Sequence, residues 1–295
     1  MENKHLIKDK VVLDVGCGTG ILSMFCAKAG AKQVIAVDCS DIIEQARLIV
    51  AQNVEECGLP DVITLVKGKM EDIQLPVDKV DVIVSEWMGY FLFYESMLDS
   101  VLFARDKFLV EGGVMLPDKA TLYLAGIEDG EYKQEKIEWW EDVYGFKMSC
   151  MKELALVEPI VDCVDRQQII ASPVPVFSID VRTCTKEDLD FTVPFKLKAD
   201  CNDHCHALIG YFDCEFSSSH KKLVLPTGPS HTPTHWKQTV FYLKEVLTMS
   251  QGETMTGTLH CSPNAKNHRD LDITIDVQFT GQHCCSTTHQ EYRLR

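Results

Sequence analysis

The 295-residue chain has no apolar run long enough to cross a bilayer, and its polar opening, MENKHLIKDK, is not that of a secretory leader. It is also short of positive charge, with 29 lysines and arginines against 44 aspartates and glutamates and a net charge of −15. Phosphate backbones require a basic surface, so nucleic acid is excluded as the main partner. The deficit suits a cationic partner, such as Lys/Arg-rich tails steered in by the protein's field, and solubility alone accounts for it as readily. The thirteen cysteines lack a framework: their number is odd and their spacing irregular, so reduced thiols are expected rather than disulfides. Neither CNDHCH (Cys201 to His206) nor HCC (His283 to Cys285) has the paired CxxC spacing of a zinc site, and no metal is expected. No repeat or low-complexity segment stands out. With 45% hydrophobic and 25% charged residues, the composition is that of an ordinary globular protein with room for two domains.

What is present in the first third is an alternation of strands and helices. VVLDV (Val11 to Val15) reads as a buried strand, Ile21 to Ala29 as a helix ending at Gly30, and QVIAVD as a second strand. Ser40 looks like the capped start of a helix that stops near Gly58. VITLVKG and VDVIVSE add strands, Glu95 to Leu109 has an apolar helical face, and GGVMLP closes the run. Such alternation predicts a doubly wound α/β unit with a parallel sheet. Beyond Pro117 the segments TLYLAGI, VFSIDV, FTVPFKLKA, HALIGYFDCEF, TMTGTLH and LDITIDVQF predict antiparallel β structure, interrupted by a helical insertion over roughly 130–165.

LDVGCGTG sets Gly16, Gly18 and Gly20 between a strand and a helix, where backbone can approach a ligand and helix N–H groups face it. Asp38 ends the next strand, the position from which an acid takes the ribose hydroxyls of an adenosine cofactor. The loop has no GK[ST] of a P-loop, and its third glycine comes one residue earlier than in GxGxxG. SEWMGYFLFYESM then places Glu86 and Glu95 around five aromatic residues, Trp87, Tyr90, Phe91, Phe93 and Tyr94, of the 25 in the whole chain. Carboxylates among apolar groups are costly unless a cation pairs with them.

The series DVGCGTG, AVDCS, KGKMEDI, SEWMGYFLFYESM and THWKQ resembles that of the protein arginine methyltransferases. The likeness runs from Lys8 to Arg295, through EDVYGF, PNAKNHRDLD and the terminal YRLR. It implies a Rossmann-like methyltransferase domain over 1–117, then an antiparallel β-barrel domain over 118–295. It also implies a helical dimerisation arm around Trp139, Trp140, Tyr144 and Phe146 that packs on a second subunit. S-adenosylmethionine is implied at Gly16, Gly18 and Gly20, with Asp38 on the ribose where the family usually has glutamate. Met70 and Glu71 match the adenine position. Unaided by the likeness, Glu71 reads as a solvated loop acid and Asp14 as a residue that shapes the loop. Members carry helices ahead of the first strand that cover the cofactor; here only MENKHLI precedes KDKVVLDVG, so weakened cofactor binding is expected. The likeness further implies Arg-rich protein substrates, such as histone tails and Gly/Arg-rich RNA-binding proteins, and residence in cytoplasm and nucleus.

A guanidinium answers the paired acids: it stays protonated and offers a planar fork of donors to carboxylates. The aromatics between the acids are expected to form a slot for it. Bringing it to about 3.3 Å from a cationic methyl donor costs about 5 kcal/mol at an effective dielectric near 20, which two anions offset. Glu86 and Glu95 are therefore the expected catalytic pair, with Glu95 in the first turn of a helix and kept ionised by its dipole. In the likeness, His235 of THW is a third element that helps proton release; a lone histidine is as often structural. The likeness also implies Tyr90, Met97 and Trp236 as pocket walls, with the shape of Met97 implying asymmetric dimethylation, although its plain reading is core filler. Two other functions remain at this point: a catalytically silent dimeric scaffold for basic tails, and a small-molecule methyltransferase.

Overall fold

Runs of β-branched residues bounded by glycine turns build the first half of the chain. In the computed structural model, which describes residues 3–295, these are β1 (Val11–Val15), α1 (Ile21–Lys28), β2 (Gln33–Asp38) and α2 (Ile42–Cys57). They are followed by β3 (Ile63–Lys67), β4 (Val80–Val84), α3 (Leu98–Phe108) and β5 (Leu109–Leu116). The five strands form a parallel sheet in the order β3-β2-β1-β4-β5. β1 and β2 sit inside its edges, which is why their residues are buried in succession rather than alternately. Gly58, at φ 65°, ends α2 in the left-handed conformation that side chains resist.

The second half comprises β6 (Lys119–Ile127), α4 (Gly130–Lys136), α5 (Cys150–Val157), β7 (Ile160–Asp162) and β8 (Ile169–Asp180). β9 (Phe191–Lys198), β10 (Asp203–Phe216), β11 (Leu223–Pro226), β12 (Gln238–Met249), β13 (Thr254–Pro263), β14 (Leu271–Thr280) and β15 (Cys285–Leu294) complete it. One antiparallel sheet runs β7-β12-β10-β6-β8, with β11 added to β10, and the other runs β15-β14-β13-β9. α4 and α5 project from the first of these sheets between β6 and β7.

One core links the two halves. It passes from Leu13, Ile35 and Ile83 through Trp87, Phe91 and Leu92 to Leu208, Phe241 and Tyr292, all buried. Phe91 is the peg: its ring meets Phe241 edge-on at 5.1 Å and occupies the space that a side chain at Gly210 would fill. Phe93 likewise packs on Phe177 and Phe191.

Two local expectations are corrected here. The third helix begins at Leu98, not Glu95, because Glu95 has φ 54° and cannot belong to a right-handed turn. Ser40 does not cap α2; its hydroxyl donates to the Asp38 carboxylate at 2.6 Å, and Asp41 stands at the N-cap without a side-chain bond to the helix backbone.

Candidate active site

The glycine loop crosses from β1 to α1 with Gly16, Gly18 and Gly20 at φ 72°, 54° and 85°. A Cβ added at Gly18 would meet nothing within 4 Å, so the loop presents bare backbone to an open space, as a bound nucleoside cofactor requires. Buried Asp14 fixes the loop's base by accepting the Ser23 hydroxyl at 2.6 Å, and burial pushes its carboxyl up to about 6.

Asp38 is fastened to the same loop. Its Oδ2 accepts the Gly18 amide at 2.9 Å, and its Oδ1 accepts the Ser40 amide at 2.8 Å as well as the Ser40 hydroxyl. A carboxylate has about four acceptor positions. Asp38 therefore retains room for about one ribose hydroxyl, and a second would displace the Ser40 hydroxyl. Met70 is buried, whereas Glu71 is exposed and accepts the Ser100 hydroxyl of α3 at 2.7 Å.

The segment between β4 and α3 folds back on itself. Gly89 donates to the Leu92 carbonyl at 3.0 Å, Tyr94 to Tyr90 at 3.0 Å, and Met97 to Trp87 at 2.9 Å. A side chain at Gly89 would strike the Tyr94 carbonyl at 1.5 Å, so the turn closes only around glycine. The Met97–Trp87 bond draws together the two ends of the loop, which carry Glu95 and Glu86. The Met97 side chain lies where a Cβ on Gly16 would be, its methyl 2.2 Å from that point, so the acidic loop touches the glycine loop. These contacts hold the loop that carries both acids against the glycine loop.

Three of the five aromatics are not slot walls. Trp87, Phe91 and Phe93 are buried in the common core, because the barrel supplies apolar partners and the Gly210 gap for them. Tyr90 and Tyr94 remain partly exposed, with near-parallel rings 6.2 Å apart. From the barrel, the Trp236 indole N–H donates to the Met88 carbonyl at 3.1 Å, and the exposed His235 ring lies 3.9 Å from that of Trp236. Trp236 is buried and tethers the barrel to the loop.

The two acids differ electrically. Glu86 is exposed as a residue, yet partial burial of its carboxyl pushes it up to about 7. Burial, then Asp213 and Glu86, raise the Cys214 thiol of β10, which places Glu86 beside that strand. Glu95 is exposed and anchored from the barrel: its N–H donates to the Arg269 carbonyl at 2.9 Å, and an Arg269 Nη2 lies 3.5 Å from Glu95 Oε1. Sequence reasoning took Ser40 only as a helix cap and assigned no role to Ser100 or Arg269. Arg269 stands in the quoted PNAKNHRDLD, where an arginine amid turn-forming Asn and Asp was the available signal. No group of three or more His, Cys, Asp and Glu able to hold a metal is present among the described residues.

Comparison with known proteins agrees with this geometry. The methyltransferase domain family matches residues 12–113, and the arginine methyltransferase oligomerization subdomain family matches 118–282. Protein arginine N-methyltransferase 1 of Chlamydomonas reinhardtii is 56% identical over 295 residues, covering 100% of this chain and 84% of that protein. Protein arginine N-methyltransferase 1.1 of Arabidopsis thaliana is 57% identical over 294 residues, covering 100% and 74%. Among solved structures, the Trypanosoma brucei PRMT1 enzyme-prozyme heterotetrameric complex with AdoHcy superposes with a TM-score of 0.95 at 51% identity, over 99% of this chain and 91% of that one. With a glycine-loop α/β unit, a barrel and a paired-acid loop between them, the chain belongs to the protein arginine N-methyltransferase family.

Proposed function

We propose that the protein transfers methyl groups to the guanidinium nitrogens of arginine in basic, flexible protein segments, with Glu86 and Glu95 as the paired acids that receive the side chain. The observation that carries this is the closed loop that bears both acids and lies against the glycine loop, through the Met97–Trp87 bond and the Met97–Gly16 contact.

The residues of the glycine loop fit the cofactor of this family: open backbone at Gly18 and an acid, Asp38, at the strand end with acceptor capacity to spare. S-adenosylmethionine, when bound there, supplies an electrophilic methyl group. The chain's own residues do the rest. Glu86 and Glu95 accept the guanidinium N–H groups, fix its plane and draw positive charge away from the nitrogen that attacks. Tyr90 and Tyr94 flank the entry with their ring faces, which favour a flat cation. His235, resting on Trp236 at the rim, is placed to pass the released proton to solvent. Met97 fills space beside Gly16 and limits how much methylated nitrogen the pocket admits, which accords with mono- and asymmetric dimethylarginine as products. Histone tails and Gly/Arg-rich RNA-binding proteins are substrates of suitable charge for a protein of net charge −15.

Labelled methyl groups should pass from S-adenosylmethionine to an Arg-rich peptide and not to its Lys analogue. Binding of the peptide without transfer would leave only a scaffold, and labelling of small amines instead would overturn the substrate class.

The chain carries the family's oligomerization subdomain. The projecting arm exposes Tyr144, Phe146, Trp139 and Leu154, while α1 and α2 expose Ile21, Phe25 and Leu48. Apolar side chains of this size on two separate faces suit mutual burial in a dimer of identical chains. Sedimentation should give a dimer at micromolar concentration, and Tyr144→Ala combined with Phe146→Ala should give a folded monomer. A dimer unaffected by those changes would place the interface elsewhere.

A further inference from the structure

The loop from Asn264 to Asp270 joins β13 to β14 and is held in shape before any ligand arrives. Asn264 Oδ1 accepts the amides of Lys266 and Asn267 at 2.9 and 3.1 Å, and its Nδ2 donates to Asp272. Asn267 Nδ2 donates to Asp270 at 2.9 Å, its Oδ1 accepts the Arg269 amide, and the Asn264 amide closes on the Asp270 carbonyl. A loop so tied projects Arg269 at a fixed point of the barrel rim.

That point is Glu95. The acid sits at φ 54°, a strained conformation that non-glycine residues keep only when their surroundings impose it. Here the Arg269 carbonyl accepts the Glu95 N–H, and the Arg269 guanidinium stands 3.5 Å from one of the two carboxylate oxygens. Tyr94 belongs to the same cluster: burial, then Glu95 and Asp270, raise its phenol, and Arg269 opposes them. One Glu95 oxygen is thus engaged by the barrel, and the other is not.

We propose that Arg269 is a positioning residue for Glu95: the carbonyl holds the acid in its strained backbone, and the guanidinium aims its carboxylate at the substrate. The barrel thereby sets the direction of one member of the acid pair while the parallel-sheet half sets the other. The proposal rests on the assignment of Glu95 to the substrate guanidinium made above.

The pair is open to solvent, with Arg269 and Glu95 side chains 66% and 51% exposed, so removing the guanidinium should leave the fold intact. Truncation to alanine also retains the carbonyl, which separates side-chain aim from backbone support. The test is a double-mutant cycle read by single-turnover methyl transfer to an Arg-rich peptide. Arg269→Ala should slow transfer about tenfold with cofactor affinity unchanged, and Arg269→Lys should restore most of the loss. In a Glu95→Gln background, Arg269→Ala should add no further loss. An equal loss in that background would make Arg269 merely structural and overturn the proposal. So would a lower peptide KM at unchanged rate, because Arg269 would then be a competitor for the acid. Wild-type protein that fails to methylate the peptide would instead sink the assignment of Glu95 itself, which keeps the two failures distinct.

Discussion

Glu86→Gln should reduce methyl transfer to an Arg-rich peptide by about 10²–10³-fold while cofactor affinity stays nearly constant. The change removes a charge and keeps the shape, at a carboxyl that burial already pushes up to about 7. The pH dependence follows with a definite sign. Below about 7 the free protein holds Glu86 neutral and lacks one anion for the guanidinium; above it, both acids are charged. The kcat/KM for peptide should therefore rise through pH 7 and level off, and the inflexion should vanish in Glu86→Gln. Bound guanidinium favours the carboxylate, so the inflexion in kcat should lie at lower pH. Stability runs the opposite way. A carboxyl raised from 4.5 to about 7 favours the folded state below 4.5, and that support is lost as pH rises through 7. Above pH 7, Glu86→Gln should be at least as stable as the parent, in keeping with a site held at some expense to the fold. Transfer rates within twofold of the parent, or a pH inflexion that survives in the variant, would remove Glu86 from the reaction.

The second large effect concerns the fold. Phe91→Ala should destabilise the protein by about 3–5 kcal/mol, the usual loss for emptying a fully buried phenylalanine site. The void would open between the Gly210 gap and Phe241, where the sheet half and the barrel half meet. Urea unfolding of the parent should show one transition, because the halves share a core. In Phe91→Ala the midpoint should fall, and fluorescence and circular dichroism should no longer coincide. An unchanged midpoint would mean that the halves are held together elsewhere.

Much of the cofactor side was legible in the sequence because its signals are local. An apolar run ended by Gly16 marked β1, and another ended by Asp38 marked β2. The substrate side depended on distant contacts. Glu95 seemed to open a helix, since Met97, Leu98, Val101 and Leu102 have helical spacing, yet its conformation is set by the carbonyl of Arg269 far along the chain. Five aromatics seemed to line a slot, yet Phe91 is drawn inward by a glycine on β10 that creates room for its ring. Ser40 looked like a helix cap because serine commonly is one; a stronger acceptor two residues back takes its hydroxyl. β12 and β15 were not singled out: β12 is buried in succession rather than alternately, and β15 alternates with polar residues such as Ser286 and Gln290 on its inward side.

The bond from the Gly18 amide to Asp38 has a consequence for exchange of the nucleoside. The residue assigned to grip the ligand also staples the loop that receives it, so the mould is cast before the ligand enters. Little backbone remains to be ordered on arrival or released on departure. Turnover of spent nucleoside should then be governed by the width of its exit, not by refolding of the turn that cups it.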